Sequence, residues 1–272
     1  NLASQSTENS NANYNVDMLC ECALNDVETN DERIGYKMDT IRALVSKLTA
    51  MGQWPVLQDT GTPLTELFRS GILSIIKLSG VDDAEKQMIA GIIIKKIFKA
   101  REHAKEQEEF ARIRNEEVVE GSIPWGWVLI DEAHEYCPQS GITPSAEHII
   151  RFAKKGRSLG LGLVTTTQQP SALSSRLSSQ INMLICHALA FEQDIDEAKR
   201  RLLNLELDKI TIKNKTYETT VTKKILRSLS VGQTLISSTD VNRTFIVAMR
   251  PRLAAHGGGH PVHEDDDQNG NE

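Results

Sequence analysis

WVLIDEAHEYCP, residues 127–138, sets four mostly apolar residues, Trp127 to Ile130, directly against two adjacent carboxylates, Asp131 and Glu132. Burying either charge unpaired costs several kcal/mol, because water is lost and nothing replaces it. The strand therefore ends where both acids meet water or a cation, and that end is a candidate site. In sheets of parallel strands, ligands sit at the carboxyl ends, which is where Asp131 and Glu132 fall.

Outward from this strand, apolar runs alternate with helical patterns. LGLVTTT (161–167), NMLICHAL (182–189), GQTLISS (232–238) and TFIVAMR (244–250) read as strands, and GILSIIKLSG (71–80), bounded by glycines, reads as a buried one. Met38, Ile41, Leu44, Val45 and Leu48 recur at helical spacing. A longer helix follows Asp82 and Asp83, which suit its positive N-terminal end. It is expected to bury Met88, Ile89, Ile92, Ile93, Ile97 and Phe98, then to protrude into solvent from Lys99 to Glu117. Thr143-Pro144 supplies an N-cap and first helical residue for SAEHIIRFAKKGR, a short Ser-rich helix is expected near 171–180, and a charged one begins near Glu192. Strands separated by helices predict an α/β fold, a mostly parallel sheet with helices on both faces. The expected organisation is a disordered Asn/Ser-rich tail at 1–16, a helical segment at 17–70, the core at 71–250 and a tail at 251–272, acidic and flexible at its end.

The bulk numbers exclude several classes. The 272 residues are enough for a sizeable core. The formal charge of −6 comes largely from five tail acids, Glu264 to Asp267 and Glu272, so a globally basic nucleic-acid binder is not indicated. Lys213, Lys215, Lys223 and Lys224 form a local basic stretch that reads as a solvated helix face. Cys20, Cys22, Cys137 and Cys186 lack C-x-x-C spacing and the density of a disulfide scaffold, which suits a reducing, cytoplasmic setting. No run approaches the roughly 18 apolar residues of a membrane span, and no membrane association is expected.

Apolar strand, then Asp, then Glu is the Walker B pattern of phosphoryl-transfer ATPases. Mg²⁺ is a hard cation that keeps much of its water and takes one or two carboxylates, and a second carboxylate beside it can orient the attacking water. The bland alternative is a polar strand cap. LGLVTTTQQP puts Thr165, Thr166, Thr167 and Gln168 at the exit of another strand, where a polar group reaches a γ-phosphate; the alternative is strand propensity meeting a turn before Pro170. Arg157, in KKGRSLG, either complements a helix C-terminus or is displayed to an anion on a neighbouring subunit. His256, His260 and His263 lie among glycines with no rigid scaffold for a metal, and His134 reads as a hydrogen-bonding or packing residue.

Taken together, LSIIKLSGVDDAEKQMIAGIIIKKIFKARE, WVLIDEAHEYCP, KKGRSLGLGLVTTTQQPSALSSRLSSQINMLICHAL and LSVGQTLISSTDVNRTFIVAMRPRLAAHGG resemble, in order and spacing, the HerA family of DNA-translocating ATPases within the FtsK/HerA group. The resemblance implies a RecA-like P-loop core that forms a homo-hexamer, hydrolyses ATP with Mg²⁺ and moves double-stranded DNA. Its implied partner is a NurA-like nuclease in DNA-end repair, or a phage-defence effector. It implies further that Asp131 is the magnesium carboxylate and Glu132 the catalytic one. Gln168 matches the sensor glutamine and Arg157 an arginine finger acting in trans. Arg250 and Arg252, in MRPR, are expected to contact nucleotide near a subunit interface. The departure is the Walker A loop, G-x-x-x-x-G-K-[ST], whose amides and lysine grip phosphates: the chain has no Gly-Lys dipeptide. Since Asn1 is not a start methionine, the expectation is that this loop and an N-terminal barrel lie upstream. The competing readings are a non-hydrolysing ring scaffold for a nuclease or effector, and a conjugative-secretion ATPase.

Overall fold

The computed structural model describes residues 15–26, 36–54, 61–115, 122–202, 209–212, 215–218, 221–241, 243–251 and 253, and within 209–218 the backbone alone. The chain divides into two compact units, 1–69 and 70–272. The first contains α1 (Val16–Asn25) and α2 (Met38–Gly52), packed on each other, and a single turn, α3 (Leu64–Leu67). The Asn15 side chain caps α1 by accepting from the Met18 amide at 2.8 Å. Ile41 is the buried side chain of α2.

The second unit runs α4 (Asp83–Arg114), β1 (Gly126–Ile130), α5 (Ala133–Tyr136), α6 (Ala146–Lys155), a 3₁₀ turn (Gly156–Leu159), β2 (Leu161–Thr165), a second 3₁₀ turn (Pro170–Ala172), α7 (Ser175–Ser178), β3 (Met183–Cys186), α8 (Glu192–Arg201), β4 (Lys209–Ile212), β5 (Lys215–Glu218), α9 (Val221–Ser228), β6 (Gln233–Ser238) and β7 (Arg243–Ala248). This is the α/β class that the alternation predicts, but where a mostly parallel sheet was expected, β1–β2 is the one parallel pair among the described strands and the other three pairs are antiparallel. β1 and β2 pair in parallel, with Trp127 opposite Gly162 and Ile130 opposite Thr165. β3, β6 and β7 form an antiparallel sheet in that order, and β4 and β5 an antiparallel hairpin.

α4 shows why the segments before and after the site stay together. Its buried residues are Gly91, Ile94, Ile97, Phe98, Arg101, Ala104 and Ala111, a stripe at helical spacing that continues past the expected boundary at Lys99. Ile92, expected inside, is exposed. The small residues mark the close approaches. A Cβ at Gly91 would meet the Pro144 carbonyl oxygen at 3.0 Å, so α4 passes directly beneath the start of α6. Phe98 and Phe152 of α6 pack at 6.2 Å between ring centroids, tilted by 56°. Burial of each ring stabilises by roughly 2–3 kcal/mol. The N-cap of α6 is Ser145 rather than the expected Thr143, and the helix begins at Ala146, although the Thr143 hydroxyl accepts from the Ala146 amide at 3.2 Å.

Arg101 is the polar centre of this packing, 1% exposed. Its Nε donates to the Leu159 carbonyl at 2.7 Å and its Nη1 to the Ile123 carbonyl at 3.3 Å, while Nη1 and Nη2 grip both oxygens of Glu108 at 2.6 and 2.7 Å. One guanidinium thus joins α4 to the segments entering β1 and β2. The charged second half of α4 is docked rather than free: Ala104 and Ala111 are buried, Arg101 bonds the Leu159 and Ile123 carbonyls, and Glu108 on the same helix supplies its counter-charge.

Two further expectations differ. GILSIIKLSG forms no strand, and Leu73 and Ile75 are 78% and 82% exposed. An apolar run becomes a strand only where a neighbouring edge bonds its backbone, and no described strand pairs with it. The lysine stretch is not one helix face: Lys213 lies outside the described residues, Lys215 begins β5, and Lys223 on α9 pairs with Glu192 and with Asp196 at 3.0 Å.

Arg101→Ala is expected to destabilise the protein by about 3 kcal/mol, because it strands two buried carbonyls and a carboxylate. Arg176→Ala, which breaks the exposed pair with Glu147, should move the same urea titrations far less than Arg101→Ala does, because solvent screens that pair. The Arg101 hydrogen bonds hold the Glu108 carboxyl below its ordinary range. A depressed folded-state pKa stabilises above the unfolded carboxylate's pKa and loses that stabilisation as pH falls through the folded one. Glu108→Gln should therefore flatten the acid limb of the stability curve; an unchanged acid limb would contradict this pairing.

Candidate functional site

The site is built where β1 and β2 leave the sheet side by side. Because the strands are parallel, both carboxyl ends point the same way, and the ladder continues one step beyond them. The Thr166 amide donates to the Ile130 carbonyl and the Ala133 amide to the Thr166 carbonyl, each at 2.9 Å. This brings Asp131 and Glu132 against Thr166, Thr167 and Gln168. Asp131 Oδ1 accepts from the Glu132 amide at 3.0 Å and from the Thr166 hydroxyl in a short hydrogen bond. Glu132 Oε2 accepts from the Gln168 amide at 3.2 Å and lies 3.4 Å from His134 Nδ1. His134 Nδ1 in turn is 2.9 Å from Thr167 Oγ1.

Each acid is thus held through one oxygen, and neither Asp131 Oδ2 nor Glu132 Oε1 has a hydrogen-bond partner among the described residues. Hard-cation chemistry fits this arrangement: one carboxylate oxygen with space for water suits Mg²⁺. No group of three or more His, Cys, Asp or Glu residues able to enclose a metal occurs among the described residues. A cation here would be shared with a ligand rather than caged by protein.

Glu132 sits in the left-handed region, φ 46° and ψ 51°, immediately before α5. A non-glycine residue there costs on the order of 1–2 kcal/mol, and such strain is found where function fixes a side chain. The surrounding contacts hold the bend. Gln87 on α4 donates to the Glu135 carbonyl at 2.8 Å, and the Thr143 and Ser145 hydroxyls donate to the Tyr136 carbonyl at 2.7 and 2.6 Å. Burial raises the Tyr136 phenol above its ordinary pKa, with Glu135 adding to the shift.

The remaining candidates lie elsewhere. Arg157 is exposed on the 3₁₀ turn before β2, at the opposite end of that strand from Gln168. Five strand residues separate the two ends by roughly 15 Å. Arg157 is therefore not gathered with the acids of its own chain. Arg250 is exposed after β7, in the other sheet, and Arg252 and the three tail histidines lie outside the described residues. The residues that the sequence pattern undervalued are Thr166 and Thr167, whose hydroxyls engage Asp131 and His134, and His134 itself. Their signal was the pairing of two polar strand exits. Cys137 and Cys186 are buried free thiols whose pKa burial raises, Cys186 to about 11, which disfavours the thiolate.

The left-handed turn gives a test that needs no substrate. Glu132→Gly and Glu132→Ala both remove the carboxylate, yet glycine adopts φ 46° freely. The glycine variant should be the more stable by about 1 kcal/mol in chemical denaturation. Alanine equal to or above glycine would show that this backbone is not strained.

No family model matches the chain. It is 24% identical over 177 residues to the DNA double-strand break repair helicase HerA of Pyrococcus furiosus, covering 59% of this chain and 32% of the relative. It is 23% identical over 179 residues to HerA of Sulfurisphaera tokodaii, covering 64% of this chain and 34% of the relative. The chain thus spans about a third or less of the length of the curated relatives it matches. Among solved structures, the genome-packaging NTPase B204 of Sulfolobus turreted icosahedral virus 2, in complex with ATP-gammaS, aligns with TM-score 0.42 and 16% identity, covering 71% of this chain and 73% of that one. No described helix is long and apolar enough to cross a membrane. The resemblance carried by the four sequence blocks is to the HerA DNA double-strand break repair helicases, at low identity and over part of the chain.

Proposed function

We propose that this chain carries the water-activating part of an ATP-driven motor that translocates double-stranded DNA. The observation that carries the proposal is the pair of adjacent acids at the end of β1, each held by β2 through one oxygen with the other left unengaged among the described residues. Magnesium, when bound with ATP, supplies charge neutralisation at the transferring phosphoryl group. Asp131 would hold the ion through its second oxygen and water. Glu132 Oε1 orients the attacking water and takes its proton, an effect worth about 10²- to 10⁴-fold in rate. Gln168, whose amide already holds Glu132, places its side chain at the same exit to meet a γ-phosphate.

Arg157 acts in trans in this reading. Its exposed guanidinium lies at the far end of β2, so it can reach an acid pair like its own only on a neighbouring subunit. A finger supplied this way contributes about 10³- to 10⁵-fold. The implied assembly is a homo-hexameric ring with a RecA-like core, with Arg250 and Arg252 near its interfaces and a NurA-like nuclease or a defence effector as partner. The names of the curated relatives, all helicases, support a DNA substrate. The reading requires a phosphate-gripping loop, and no Gly-Lys dipeptide stands in the 272 residues. A protein without that loop throughout would be the second reading, a ring-forming scaffold that does not hydrolyse ATP.

In the intact protein, Glu132→Gln is expected to bind ATP with unchanged affinity while DNA-stimulated hydrolysis falls by at least about 10²-fold; normal turnover would remove Glu132 from catalysis. Arg157→Ala subunits mixed into wild-type protein should depress activity more steeply than dilution. Activity proportional to the wild-type fraction would contradict a finger in trans.

A further inference from the structure

We infer that His134 is a positioning residue for Glu132, anchored in that role by Thr167; the inference rests on the reading of Glu132 given above. The Glu132 carboxylate needs more than its own backbone to aim it, because a glutamate side chain has three rotatable bonds and this one is partly exposed. Two donors surround Oε2. One is the Gln168 amide at 3.2 Å, fixed by the chain leaving β2. The other is His134 Nδ1, which lies 2.9 Å from Thr167 Oγ1 and 3.4 Å from Glu132 Oε2.

The neighbouring charge selects the tautomer. A ring lone pair turned toward a carboxylate oxygen is repelled and an N–H attracted, so Nδ1 carries the proton and shares it between Thr167 Oγ1 and Glu132 Oε2. Thr167 Oγ1 is itself fixed, since it also accepts from the Gln169 amide at 3.0 Å. The contact to Thr167 is a full hydrogen bond, while that to Glu132 is long and mainly electrostatic. His134 therefore rests on β2 and restrains the carboxylate from there. Three consecutive residues of that strand's exit, Thr166, Thr167 and Gln168, govern both acids: Thr166 directly on Asp131, Gln168 directly on Glu132, and Thr167 on Glu132 through the imidazole. With Oε2 held on this side, Oε1 remains for the water.

The test is single-turnover ATP hydrolysis by the intact protein with saturating DNA, alongside binding of a fluorescent ATP analogue. His134→Ala should slow hydrolysis by about 10- to 100-fold, the loss typical of a group that orients a reacting one, with nucleotide affinity unchanged. His134→Asn, which keeps a donor near the Nδ1 position, should recover most of the rate. Thr167→Val should reproduce the loss and Thr167→Ser should not, which carries the test if His134→Ala fails to fold. In a Glu132→Gln background, His134→Ala should slow hydrolysis no further, because it acts through the missing carboxylate. A wild-type rate for His134→Ala, or a loss that persists undiminished in the Glu132→Gln background, would overturn the inference while leaving Glu132's role intact. A wild-type rate for Glu132→Gln alone would instead overturn the reading of Glu132, and His134's role with it.

Discussion

The parallel register of β1 on β2 is the constraint on which the site depends. Ile130 stands opposite Thr165, and the ladder extends past them through the Thr166 and Ala133 amides. That alignment alone places two acids from one strand beside two hydroxyls and an amide from the other. A slip of one residue would turn every side chain to the opposite face and move Asp131 away from Thr166. An antiparallel pairing would bring the carboxyl end of one strand against the amino end of the other, and the two polar exits would never meet.

What fixes the register lies at the far end of the same strands. Arg101 bonds Leu159 just before β2 and Ile123 just before β1, so the two strands start from a common buried group on α4. A buried guanidinium is costly by itself; the bidentate grip on Glu108 and two backbone carbonyls offset its desolvation. Gly91 and the Phe98–Phe152 pair then bring α6 close to α4. The far end is therefore stapled by a buried ion pair and by the Phe98–Phe152 packing. The opposite end presents Glu132 in a strained conformation, held only by the groups that give it its orientation.

Much of this was legible in the residues themselves. The collision of an apolar run with Asp131-Glu132 marked a strand exit, and TTTQ marked a second one beside it, because buried carboxylates and clustered hydroxyls both need partners. Strand and helix periodicity gave β1, β2, β3, β6 and β7 and the larger helices. What was not legible depended on partners remote in sequence. GILSIIKLSG carries the hydrophobicity of a strand, but hydrophobicity does not supply an edge to bond with. The docking of α4 beyond Lys99 hinged on one arginine among many charges, and nothing in its local pattern distinguishes Arg101 from its exposed neighbours. The sequence reads His134 as a hydrogen-bonding or packing residue, and its partners, Thr167 and Glu132, follow from the β1–β2 pairing rather than from spacing along the chain.

The most direct measurement is a crystal structure of the intact protein with Mg²⁺ and a non-hydrolysable ATP analogue. Asp131 Oδ2 should face the ion directly or through one water, and Glu132 Oε1 should face the water in line with the γ-phosphate. Carboxylates turned away from the triphosphate, with the metal held by other residues, would contradict the central claim.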